Sequence, residues 1–224
     1  KLTERKIEIT KVSGQSIEKG GFKHFMHKEI HEQPTVVGET IKSLIASESG
    51  KLNVKNDIVD FYNADRITMV ACGTSSFACR IARDWFERYA HIPVNVDIAS
   101  EYRYRKLLPS KNELTLFISQ SGETRDTISC IDHAKAAGIK TLSIVNVIDS
   151  SISRISDKTI LTLAGPEIGV ASTKAFTTQL VTLASLALMM GSRKKSIDKL
   201  KKQSLFNALL ELPSHMSQIL DNEN

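Results

Sequence analysis

The segment LTLFISQSGET, residues 114–124, decides the fold. Its first half is apolar nearly throughout and lacks the in-out alternation of a half-solvated strand, so the strand is covered on both faces and belongs to a parallel sheet. Its second half changes abruptly to Ser119, Gln120, Ser121, Gly122, Glu123 and Thr124, a turn with three hydroxyls and one glycine that opens a helical pattern. A strand that runs through such a turn into a helix is the repeating unit of a wound α/β sheet.

Working outward, β-rich runs at residues 67–71, 94–98, 141–145 and 158–163 flank this segment, and helical patterns separate most of them. The class is therefore α/β: a doubly wound five-stranded parallel sheet of flavodoxin-like order 2-1-3-4-5, with helical N- and C-terminal extensions. The N-terminal extension spans residues 22–48 after the joint Gly20-Gly21, with Pro34 suited to an early helical position. Beyond the fifth strand comes the loop LAGPEIGVASTK, residues 163–174, and then an apolar helix over 175–190 that Gly191 and Ser192 are expected to end. Residues 193–224 read as one or two amphipathic helices with Pro213 between them and a polar end, DNEN.

The 224 residues, 41% hydrophobic, suffice for one substantial core. No apolar run reaches the roughly 18 residues of a membrane span. The longest candidate, 180–190, is interrupted by Thr182 and Ser185, so no membrane is expected. The opening KLTERKIEITKV has neither an initiator Met nor the apolar centre of a signal peptide, which places the start of the chain inside a longer polypeptide. Cys72, Cys79 and Cys130 follow no zinc-like or CxxC spacing and fit buried thiols in a reducing, cytoplasmic compartment. The net charge of +5 traces to Arg193, Lys194, Lys195, Lys199, Lys201 and Lys202, interleaved with Ile197, Leu200 and Leu205. That pattern is a solvated helix face and calls for no nucleic acid. His24, His27 and His31 share one helical face, but without carboxylate or cysteine partners at useful spacing they predict no metal; a polar face or a site lent to a partner subunit is the reading.

In open parallel sheets, ligands bind beyond the carboxyl ends of the strands where strand order reverses. Strand one is followed by Cys72, Gly73, Thr74, Ser75 and Ser76, strand three by the hydroxyl turn already described. Helix N-termini present unpaired N–H groups and the positive end of the macrodipole, so Ser119, Ser121 and Thr124 can converge on one anion without a lysine. The competing reading makes Ser75 and Ser121 mere helix caps. Two such loops at the two positions flanking the switch point favour an anion pocket. A dinucleotide fits less well, since GxGxxG is absent from both loops and strand two, which ends Asp97-Ile98-Ala99-Ser100-Glu101, has no acidic residue in the usual place, and no cofactor is expected.

Four stretches, CGTS at 72–75, ASEYRYR at 99–105, SQSGET at 119–124 and EIGVASTKAFT at 167–177, together resemble the sugar isomerase (SIS) domain family. The last of them, with the entry HKEIHEQP at 27–34, is similar to the first of the two SIS domains in the glutamine:fructose-6-phosphate aminotransferase family. The resemblance implies that Ser119, Gln120, Ser121 and Thr124 hold the phosphate of fructose-6-phosphate or glucosamine-6-phosphate, that Thr74 and Ser75 add contacts, that Val170 and Ser172 line the sugar, and that Cys72 sits at the mouth. It implies a division into a linker over 1–21, a sugar-phosphate-binding SIS domain with a helical appendage over 22–213, and a linker over 214–224 toward a second SIS domain. It implies a glutaminase half before the chain, a homodimer, and catalytic groups located outside these residues, so that none here is catalytic. Lys174 then neutralises charge rather than acting as an amine catalyst. The apolar helix over 175–190 could serve an interface, though core is its commoner role. Two other readings remain open, a stand-alone sugar-phosphate-sensing module and an isomerase of another phosphosugar.

Overall fold

The structure, a computed structural model, describes residues 18–44 and 56–222. The strand-like opening at 1–12, the tail of the first helical segment at 45–48 and the last two residues lie outside the described residues. Five parallel strands form one sheet: β1 (Arg66–Ala71), β2 (Val94–Ile98), β3 (Glu113–Ser119), β4 (Lys140–Val145) and β5 (Lys158–Leu161), in the order β2-β1-β3-β4-β5. The fifth strand stops two residues before its expected end, and Leu163 takes a left-handed conformation with φ 52°.

The two-period of a strand explains the continuous apolar runs. Ile67, Met69 and Ala71 of β1, Leu114, Leu116 and Ile118 of β3, and Leu142 and Ile144 of β4 enter one core. Val70, Phe117 and Val145, one residue out of phase, enter a second core on the opposite face. The first core is covered by α2 (Gly73–Trp85) and α6 (Lys174–Lys194), the second by α3 (Ala99–Tyr102), α4 (Arg125–Ala136) and α5 (Ser151–Ile155). Register sets the site: Ala71 pairs with Ile118, so Cys72 and Ser119 leave neighbouring strands at the same level.

α1 (Phe25–Leu44) and α7 (Lys199–Asp221) pack with α6, sharing Val37, Ile41, Val181, Leu212 and Met216. Both extensions depart from the sequence reading at their prolines. Pro34 lies in the middle of α1 rather than near its start. A proline there removes the N–H that would bond the carbonyl four residues back. The Gln33 side chain supplies the substitute, Nε2 donating to Ile30 O at 3.2 Å. Pro213 sits inside α7, which continues unbroken to Asp221 and includes 214–221, expected as connecting chain. Its ring lies beside Gly38, where a Cβ would stand in ordinary contact, 3.6 Å from Pro213 Cγ.

Gly191 does not end α6, which runs on to Lys194 and terminates at Lys195 in the left-handed conformation, φ 58°. A Cβ at 191 would overlap the carbonyl oxygen of Tyr89, so glycine serves a close approach between elements here. By length and composition α6 could cross a membrane, but most of it is buried in the fold. Its place is the core. Leu200, interleaved with the lysines of the solvated face, is exposed, while Phe206 is buried.

Candidate functional site

A cleft of about 280 Å³ opens at the carboxyl ends of β1 and β3. All eight residues that the sequence nominates, Thr74, Ser75, Ser119, Gln120, Ser121, Thr124, Val170 and Ser172, line it, together with Cys72, Glu167 and Gly169. Among the described residues that line it none is a lysine or arginine, so any anion held there relies on hydroxyls, N–H groups and helix N-termini.

One wall is the turn after β3. Ser119 Oγ accepts from the Gly122 N–H at 3.1 Å and stands 3.2 Å from Thr124 Oγ1, and Ser121 Oγ accepts from the Glu123 N–H at 3.2 Å. Gly122 has φ 67°, and a Cβ on it would overlap the Ser150 hydroxyl. Both conditions require glycine. The residue heading α4, Thr124, and the one heading α2, Cys72, make no side-chain capping bond. Of the two hydroxyls that the competing reading makes caps, Ser121 does satisfy a main-chain N–H, that of Glu123, whereas Ser75 bonds a side-chain amide. Ser75 accepts from Gln179 Nε2 at 3.0 Å, a buried amide on α6, which leaves the Ser75 proton free to be donated.

The other wall is the loop between β5 and α6. Glu167 folds back on the start of α6: its Oε1 accepts from the N–H groups of Thr173 at 2.9 Å and Ala175 at 3.1 Å, and its Oε2 from the Ser172 hydroxyl at 3.1 Å. Three helix N-termini thus approach the cleft, and α6 alone already holds a carboxylate. The remaining positive ends belong to α2 and α4.

This second wall is held by α1, through residues that sequence reasoning did not nominate. Glu29 is 2% exposed and accepts from the N–H of Ile168 at 2.5 Å and of Gly169 at 3.0 Å. Lys174, 3% exposed, places Nζ 2.6 Å from Glu32 Oε2, the charge-neutralising role expected of it. Thr177 donates to Gln33 Oε1 at 2.5 Å. A signal was present: Glu29 lies seven residues before Val36 on the buried face of α1, and a carboxylate in an apolar stripe demands a specific partner.

Two of the three histidines come together, His27 and His31, with Nε2 atoms 3.1 Å apart and the Phe22 ring against both. Among the described residues no group of three or more ligating side chains could hold a metal ion. The three thiols are free: Cys72 is half-buried, and burial pushes Cys79 and Cys130 up to about 12.

Comparison with known proteins bears on the same residues. The SIS domain family matches residues 60–189. The glutamine–fructose-6-phosphate aminotransferase (isomerizing) of Brucella abortus biovar 1 (strain 9-941) is 44% identical over the whole chain, which covers 37% of that protein. The protein of the same name from Bradyrhizobium diazoefficiens is 49% identical over 92% of the chain, covering 34% of its own length. The chain thus spans about a third of these curated relatives. Among solved structures, the C-terminal domain of glucosamine-fructose-6-phosphate aminotransferase from Francisella tularensis superposes with TM-score 0.84 at 41% identity, covering 88% of this chain and 55% of that one.

Proposed function

The chain belongs to the SIS domain family, and from that premise we propose that it is the first phosphosugar-holding domain of a glutamine:fructose-6-phosphate aminotransferase. The observation that carries this reading is the meeting of two hydroxyl-bearing turns in one cleft at the switch point of the sheet, lined by no lysine or arginine among the described residues. Identity of 44–49% to two aminotransferases over nearly all of the chain supports the choice of parent enzyme.

In this reading Ser119, Gln120, Ser121 and Thr124 grip the phosphate of fructose-6-phosphate or glucosamine-6-phosphate. Thr74 and Ser75 add donors from the first turn, while Val170 and Ser172 border the sugar. Phosphate binding contributes energy remote from the reacting carbons, which the whole enzyme can use to orient them for amination and isomerisation. The catalytic groups, the glutaminase half and the second SIS domain are assigned to the rest of the parent chain. The assembly is a cytoplasmic homodimer making glucosamine-6-phosphate for amino-sugar synthesis.

Calorimetric titration of the chain with glucosamine-6-phosphate tests the reading. Saturable one-site binding that Thr124→Ala weakens is expected, together with no turnover of fructose-6-phosphate. Absence of binding, or turnover by these 224 residues alone, would overturn it.

A further inference from the structure

The motif HKEIHEQP, residues 27–34, lies outside the cleft lining, yet it reaches the cleft wall across a sequence separation of about 140 residues. Glu29, Glu32 and Gln33 occur at i, i+3 and i+4, one face of α1. They hold Ile168 and Gly169 at the front of the loop, Lys174 where α6 begins, and Thr177 one turn further on. Resting on the phosphosugar reading above, we infer that Glu29 is a positioning residue for the sugar side of the cleft: its carboxylate fixes the backbone that carries Val170 and Ser172.

Three observations carry this. The Glu29 carboxylate is buried and aimed at main-chain N–H groups, bonds that are short and strong because the acceptor is charged. Gly169 is shaped to it, since a Cβ there would stand 2.5 Å from Glu29 Oε2 and 3.4 Å from Met26 Cα. Val170, next in the chain, is fully exposed, so burial of its own side chain does not locate it. The tip of the loop takes its position from the backbone before and after it. Holding that backbone in place before a ligand arrives removes an ordering cost from binding.

The phosphate turn makes none of these bonds to α1: it is held by bonds within residues 119–124 and by the main-chain N–H groups of Asn146, Ser151 and Ile152, which donate to Gln120 O, Glu123 Oε1 and Gly122 O. The inference therefore separates two ligands. In calorimetry on the chain, Glu29→Ala is expected to weaken glucosamine-6-phosphate binding roughly tenfold while inorganic phosphate binding stays within about twofold. Glu29→Gln, which can keep a carbonyl oxygen where Oε1 stands, should recover most of the loss. Gly169→Ala should reproduce the Glu29→Ala pattern, and it decides the matter if Glu29→Ala fails to fold, as judged by its melting curve. Unchanged affinity for glucosamine-6-phosphate in the folded variants, or equal losses for both ligands, overturns the positioning role while leaving the phosphosugar reading intact. A parent chain that binds no glucosamine-6-phosphate overturns both.

Discussion

The two walls of the cleft are built by opposite means. In the turn after β3, Ser119 bonds Gly122 and Thr124, Ser121 bonds Glu123, and the segment after β4, which neighbours it in the sheet, adds the N–H groups of Asn146, Ser151 and Ile152. The loop before α6 is held partly by its own Glu167 and partly by a helix about 140 residues earlier in the chain. The first wall is fixed within itself and by the adjoining strand's loop, the second by a helix remote in sequence, so a change in α1 reaches the second wall without touching a bond of the first.

The comparison breaks most easily at the buried ion pair. Glu32→Ala leaves Lys174 buried without its partner and should cost about 3 to 5 kcal/mol in urea unfolding. Lys174→Met should cost less, because the Glu32 side chain left behind is 29% exposed and lies 3.5 Å from Lys28. Equal costs would deny that Lys174 is the desolvated partner.

Next in size is a pair of glycine substitutions. Gly122→Ala meets both a positive φ and the Ser150 hydroxyl, so it should lose about 1 to 3 kcal/mol through overpacking and abolish phosphate binding. Gly73→Ala has a positive φ of 54° but nothing within 4 Å of its Cβ, and should cost only about 1 kcal/mol. A Gly122→Ala protein as stable as Gly73→Ala would contradict the tight packing of the anion turn.

Ser119→Ala removes a hydroxyl shared by Gly122 and Thr124. Titration should show inorganic phosphate and glucosamine-6-phosphate weakened together, each roughly tenfold, the loss of one charge-assisted bond. That shared loss contrasts with the selective loss expected at Glu29. A smaller and kinetic effect concerns the thiols. Iodoacetamide at pH 8 should label Cys72 first, because burial holds Cys79 and Cys130 protonated up to about 12, and glucosamine-6-phosphate should slow the labelling. Labelling of Cys130 ahead of Cys72 would place the cleft elsewhere.

The same contrast explains what the sequence reveals. The sheet and its order follow from strand periodicity and the wound-sheet rules, and SQSGET at 119–124 reads as an anion turn because its logic is contained in six residues. Glu29 is harder to read, since its partners are N–H groups at 168 and 169, invisible in side-chain chemistry. Gly191 misleads for the same reason: a glycine closing an apolar stripe reads as a helix stop, whereas here it admits the Tyr89 carbonyl. Pro34 reads as a helix start because the compensating bond comes from the Gln33 side chain. At Glu29 and Gly191 the deciding contact joins two elements, and at Pro34 it is a side-chain bond within the helix.

The most direct test of the account is a crystal structure of the chain with glucosamine-6-phosphate. The account predicts phosphate oxygens within hydrogen-bonding range of Ser119, Ser121 and Thr124, with the sugar turned toward Val170 and Ser172. A phosphate seated on any other surface, or a sugar pointing away from the loop that Glu29 holds, would contradict it.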